Sequence, residues 1–135
     1  MTPTKPHIQG VAIGLSITLV ACTAAHRAAA PLDVDRLCRA IGHIESGNRN
    51  LKPRWDVNGV ATGVYQFHLP RWLELGGTRA NFGKASVALQ TKLLRAALAK
   101  RKCTTFEQVA RWHNGAGKAH YKYAEKLEAT YKGIK

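Results

Sequence analysis

Leu37-Cys38-Arg39-Ala40-Ile41-Gly42-His43-Ile44-Glu45-Ser46-Gly47 sets a carboxylate at the end of an apolar helical stripe, just before a helix-stopping glycine. Leu37, Ile41 and Ile44 recur at i, i+4 and i+7 and line one face of a helix. Glu45, eight residues after Leu37, falls on the same inward face. Gly47 can take the left-handed conformation that ends a helix. Desolvation by the core and the negative helix C-terminus both favour the protonated carboxyl there. A carboxylic acid that keeps its proton near neutral pH is what general acid catalysis needs.

Working outward, Asp33 caps a helix from Val34 to about Glu45, and the polar stretch Ser46 to Asn58 reads as loop. Val57 to Phe67 mixes Gly59 and Gly63 with β-branched and aromatic residues, which suits an irregular hairpin or extended turn. Pro70 opens a short helix through Trp72 and Leu75 that Gly76-Gly77 stops. Lys84 to Lys100 is the clearest helix, with Val87, Leu94 and Leu98 on one face and basic residues in the last turn. Thr104 with Glu107 makes a capping box for a helix through His113, which Asn114-Gly115-Ala116-Gly117 breaks. A last helix carries His120, Tyr123, Ala124, Leu127 and Tyr131 on one side. The fold class is therefore mainly α, an α+β arrangement in a small single domain with an irregular hairpin or loop beside a cleft.

The chain's 135 residues suffice for one core, and 45% hydrophobic residues make it globular. A formal charge of +13 favours a polyanionic partner: nucleic acid, an anionic membrane surface or an acidic wall polymer. Residues 1–30 read as a targeting segment plus a short linker, leaving 31–135 as the folded domain. Lys5 and His7 precede the apolar run Ile8 to Ala21, too short for a comfortable membrane span and suited to a secretory signal. Leu19-Val20-Ala21-Cys22 resembles a bacterial lipobox, which would make Cys22 a lipidation site, while Ala28-Ala29-Ala30 offers an ordinary cleavage site. The expected location is the periplasm or cell envelope, with a lipid anchor in the membrane on the lipobox reading. In an oxidising compartment Cys38 and Cys103 read as one disulfide, with two buried free thiols as the alternative. No metal-ligand spacing occurs, and no cofactor is expected.

Three segments then stand in a telling order. Ile44-Glu45-Ser46-Gly47 is similar to the Glu-Ser-Gly motif of soluble lytic transglycosylases and goose-type lysozyme relatives. Gly63-Val64-Tyr65-Gln66-Phe67 resembles that family's Gly-Leu-Met-Gln-Ile motif, and Trp112-His113-Asn114-Gly115-Ala116-Gly117 its Ala-Tyr-Asn-Ala-Gly turn. Tyr123-Ala124 looks like the family's closing Tyr-Val helix. The likeness runs from about Leu32 to Tyr131, and the Gly-Val-Tyr-Gln-Phe stretch with Trp72 also resembles resuscitation-promoting factor domains.

The resemblance implies a lysozyme-like fold and cleavage of the β-1,4 bond between N-acetylmuramic acid and N-acetylglucosamine in peptidoglycan glycan strands. Glu45 matches the catalytic acid, which afterwards serves as base, giving a 1,6-anhydro end. Substrate-binding candidates are Ser46, Tyr65, Gln66, Asn114 and Tyr123. Ser46 could instead cap its helix, and Tyr123 matches the family tyrosine that approaches the catalytic carboxylate. Tyr65 stands where the family has Met, and His113 where it has Tyr. Asp56 is a candidate second carboxylate for a hydrolytic muramidase, and Trp55 and Trp72 are candidates for stacking on sugars or for packing. A catalytically silent wall-binding module of a secretion or phage-related assembly is the reading from another class. Nucleic acid is not the expected partner, because the export signal argues against it and no binding motif appears.

Overall fold

The structure, a computed structural model, describes residues 28–115, 117 and 119–135. Cys22 and nearly all of the expected targeting segment lie outside the described residues. Asp33 opens helix α1 (Val34–Ser46), its Oδ1 accepting the Arg36 amide at 2.7 Å. At the other end Gly47 sits at φ +63°, donating to His43 O, while the Asn48 amide reaches back to Gly42 O. That double closure gathers the last carbonyls of the helix and fixes where Glu45 leaves it.

The expected loop after α1 instead contains strand β1 (Leu51–Asp56), which pairs antiparallel with β2 (Gly59–Gly63) across a two-residue turn at Val57-Asn58. Strand β3 (Phe67–His68) pairs with the other edge of β2, giving the order β1-β2-β3. The register of β1 slips between Leu51 and Arg54, where Pro53 has no amide to give a ladder. Short helix α2 (Leu69–Glu74) follows with Pro70 in its first turn. Trp72 is fully buried there, its indole N–H shared between Thr78 O at 3.0 Å and Asn81 Oδ1 at 2.8 Å. It is therefore a core residue, unavailable for stacking on a sugar.

Helix α3 (Val87–Arg101) is capped by Ser86 and buries Gln90, Leu94 and Leu98. Val87, the first residue of the helix, is exposed, contrary to the pattern reading, and the polar Gln90 takes the inward position. Helix α4 (Phe106–Asn114) does begin with a capping box, one residue later than expected. Thr105 Oγ1 accepts the Gln108 amide and Gln108 Oε1 accepts the Thr105 amide, whereas Glu107 pairs with Arg111. Helix α5 (Ala119–Gly133) packs on α1 and α4, burying His120 and Leu127. The described residues form an α+β domain of five helices and one small antiparallel sheet. Its core is built from Leu37 and Ile41 of α1, Phe67, Trp72, Leu94, Leu98, Val109 and Leu127. Among the described residues no helix is long and apolar enough to cross a membrane.

The expected disulfide is absent: Cys38 and Cys103 are both free thiols. Cys38 faces Tyr65, Val87 and Thr91, while Cys103 lines a different groove with Leu93, Gln108 and Trp112. Burial, reinforced by the Asp35 charge, pushes the Cys38 thiol up to about 12, so it stays protonated and packs as an apolar group.

Candidate active site

Glu45 emerges from the last turn of α1 where the C-terminal end of α4 and the first turns of α5 meet it. Tyr123 of α5 donates its hydroxyl to Glu45 Oε1 at 2.7 Å. His113 of α4 places Nε2 3.2 Å from the same oxygen. The His113 side chain is 8% exposed and that of Glu45 is 21% exposed, so the ring is enclosed and the carboxylate keeps one side open. Both contacts fall on Oε1, and Oε2 has no hydrogen-bond partner among the described residues. Phe67 of β3 meets the His113 ring edge-on at a centroid distance of 6.5 Å, and Tyr123 lies 5.6 Å from it on another side. Sheet, α4 and α5 thus clamp the imidazole against the carboxylate.

Charge at this point differs from the expectation. Burial raises the Glu45 carboxyl, as anticipated, but it is outweighed. The hydrogen bond and charge of His113, the Tyr123 hydroxyl and the Lys126 ammonium together hold it below its ordinary value. In the open site Glu45 is therefore a carboxylate, not a standing acid. Tyr123 is pushed far up by burial and by the Glu45 charge, so it remains a hydrogen-bond donor across the working pH range.

The other candidates divide. Ser46 is buried and its Oγ donates to Val64 O at 2.7 Å while accepting the Arg49 amide at 3.1 Å. Its hydroxyl is consumed by the backbone, so it positions the turn and does not reach for a sugar. Tyr65 is also buried, bonded to Thr91 Oγ1 at 2.8 Å and packed on Phe67, so the expected aromatic platform faces α3. Gln66 sits at φ +48°, its Nε2 donating to Gly63 O and its Oε1 accepting from Arg54 Nε. Asn114 is exposed at the end of α4. Asp56 lies on exposed β1, where His68 at 2.9 Å and the Asn58 amide hold its carboxyl below the usual range. Trp55 is 83% exposed on the same strand.

The turn beneath the site is fixed from two helices. Val64 gives its carbonyl to Ser46 of α1 and its amide to Gln90 Oε1 of α3, at 2.9 Å. Gly63, at φ +81°, lets this happen: a Cβ there would lie 2.0 Å from Gln90 Oε1. Sequence reading missed His113 as a partner of Glu45. The signal is a polar ring, where the resembled motif has tyrosine, on the helix that ends beside Glu45. Among the described residues no group of His, Cys, Asp or Glu gathers to hold a metal ion.

No family model, curated protein or solved structure matches the chain.

Proposed function

We propose that this protein is a peptidoglycan lytic transglycosylase, with Glu45 as the acid and then the base. The observation that carries the reading is a single half-open carboxylate, held on Oε1 by Tyr123 and His113 with Oε2 left for substrate. A protonated Glu45 would deliver its proton to the glycosidic oxygen as the bond to muramic C1 breaks. The resulting carboxylate stabilises the oxocarbenium character at C1 and then accepts the proton of the C6 hydroxyl, whose oxygen closes on C1. One residue in both roles needs no second carboxylate. Asp56, the candidate partner, is engaged with His68 and Asn58. The order of Glu45, Gln66, Asn114 and Tyr123 along the chain, similar to that of the transglycosylase motifs, supports the same reading. A site open on one side also suits a polymer that must pass through it rather than be engulfed.

Digestion of purified sacculi followed by mass spectrometry of the muropeptides tests this. Anhydro ends, lighter by one water than hydrolysed reducing ends, are the expected product. Glu45→Gln should lower the rate by at least roughly 10²–10⁴-fold, the usual contribution of a general acid–base group. Asp56→Asn should keep most turnover. Hydrolysed ends alone would assign a muramidase instead, and a fully active Glu45→Gln would remove Glu45 from the chemistry altogether.

A further inference from the structure

We propose that His113 and Glu45 share one proton, His113 holding it in the empty site and passing it to Glu45 when a glycan strand covers the pair. The inference rests on Glu45 being the acid and gives the source of the proton that it delivers. Two observations carry it. His113 Nε2 reaches Glu45 Oε1 at 3.2 Å from inside the protein. Its other nitrogen, Nδ1, is buried with no hydrogen-bond partner among the described residues. Both charge states of the shared-proton pair keep a hydrogen on Nδ1, and with no acceptor there Glu45 is the ring's one partner among the described residues. The charged ring is therefore weakly held, and its Nε2 proton has one destination.

The groups around the pair leave little else to titrate. Tyr123 and Lys126 face it from α5, Phe67 from β3 offers no ionisable group, and Arg71 of α2 spends a guanidinium N–H on Trp112 O. In the empty site water on the open side of Glu45 supports the ion pair of imidazolium and carboxylate. A bound sugar removes that water, and a buried ion pair without compensating solvent costs more than the neutral pair. The Nε2–H bond breaks and a Glu45 O–H bond forms, with no net change in protons. Glu45 then protonates the leaving oxygen. What remains is a carboxylate facing the bare Nε2 lone pair, which makes Glu45 a stronger base when it must take the C6 hydroxyl proton. Closure of the anhydro ring returns the proton to Glu45, and product release lets it pass back to Nε2. His113 acts through Glu45 and is a positioning residue for the proton.

The test is the pH profile of kcat/KM on sacculi for the full chain, its His113→Gln and its His113→Tyr variants. Either replacement can donate to Glu45, but neither holds an exchangeable proton in the working range. Two sites sharing one proton keep it to higher pH than one site alone. Each variant should therefore lose activity at lower pH than the parent, with the alkaline limb moved by a unit or more. That displacement means an approximately tenfold or larger deficit on the alkaline flank and a much smaller one at the acid end. A deficit uniform across pH would show a packing role only and overturn the proposal, and either variant alone suffices should the other fail to fold. If Glu45→Gln is inactive while the limb stays in place, the shared proton fails and the transglycosylase reading stands. If Glu45→Gln is active, both fall.

Discussion

Gln90→Leu isolates the polar clamp that holds the turn under the active site. Gln90 is 4% exposed and makes three bonds: Oε1 accepts the Val64 amide, and Nε2 donates to Asn50 Oδ1 and Ala85 O. Leucine fills a similar volume but supplies none of them. Asn50 is exposed and Ala85 half-buried, so water can replace part of what they lose. Val64 is buried, and its N–H is stranded. An unpaired buried donor costs about 1–3 kcal/mol, and the two lesser bonds add about 1 kcal/mol together. The expected loss is therefore about 2–4 kcal/mol, a large part of the stability of a domain this size. At roughly 4 °C per kcal/mol, Tm should fall by about 8–16 °C. Thermal and urea unfolding followed by circular dichroism measure it, with an unchanged urea slope confirming that only stability moved. Because Ser46 holds the carbonyl of the same Val64, Ser46→Ala and Gln90→Leu should be non-additive in a double-mutant cycle. A Tm within about 2 °C of the parent would refute the argument, since a stranded amide cannot be that cheap.

Tyr123→Phe removes the donor 2.7 Å from Glu45 Oε1 and should slow turnover by about tenfold to a hundredfold, the worth of one charge-assisted hydrogen bond. A rate within about twofold of the parent on sacculi would leave Tyr123 as a packing aromatic only. The lowered Glu45 carboxyl contributes stability above its unfolded value of 4.5 that is lost as pH falls through the folded one. A Tm series against pH should therefore show a smaller acid loss in Glu45→Gln than in the parent, and parallel curves would contradict the charge assignment. The folded domain 31–135, which leaves out Cys22, should carry two free thiols by mass. Iodoacetamide should modify the half-buried Cys103 first and Cys38 only on unfolding. A mass two hydrogen atoms heavier than the bridged form and unchanged by reductant is the expected result; loss of both thiols on oxidation in the folded state does not fit this packing.

What could be read from the residues follows from which signals are local. The start of α1 at Asp33, its stop at Gly47, Pro70 in the first turn of α2 and the inward face of α5 are decided within a turn of chain. Strand β1 was invisible because Lys52, Pro53, Arg54, Trp55 and Asp56 are all exposed, so no alternation marks them. The capping box slipped by one residue because Thr104 with Glu107 and Thr105 with Gln108 satisfy the same pattern. Glu107 is instead paired one turn on with Arg111 in the same helix and faces His120 of α5, while Gln108 closes the box on Thr105. Gln90 reads as a polar interruption of an apolar face until Gly63 and Val64 come from elsewhere in the chain to meet it. Glu45 stands out in the sequence by its position and its motif, but the charge expected there is wrong, because burial is a local property and its partners are 68 and 78 residues away.

That misjudgement bears on how the site can work. A helix C-terminus and a buried stripe would, unopposed, keep Glu45 protonated, and the chain would need nothing more than position to make an acid. Instead α4 and α5 bring His113 and Tyr123 onto one oxygen, and Lys126 adds a positive field. All of these favour the carboxylate, the form that the second step of the proposed reaction would require and the wrong one for its first. A residue asked to be acid and base in turn cannot be optimised for either by fixed surroundings, since whatever strengthens one role weakens the other. A neighbour that changes its own charge avoids the conflict. Of the groups touching Glu45, Tyr123 is locked as a donor and Lys126 acts only through its field. His113 alone has a second ring nitrogen, so it alone among them can bond to Glu45 either with or without a hydrogen on the facing atom. On the proposed reading, a histidine where the resembled motif has tyrosine would put a variable donor in place of a fixed one, and the enclosed ring bonded to Glu45 is where that exchange would have its effect.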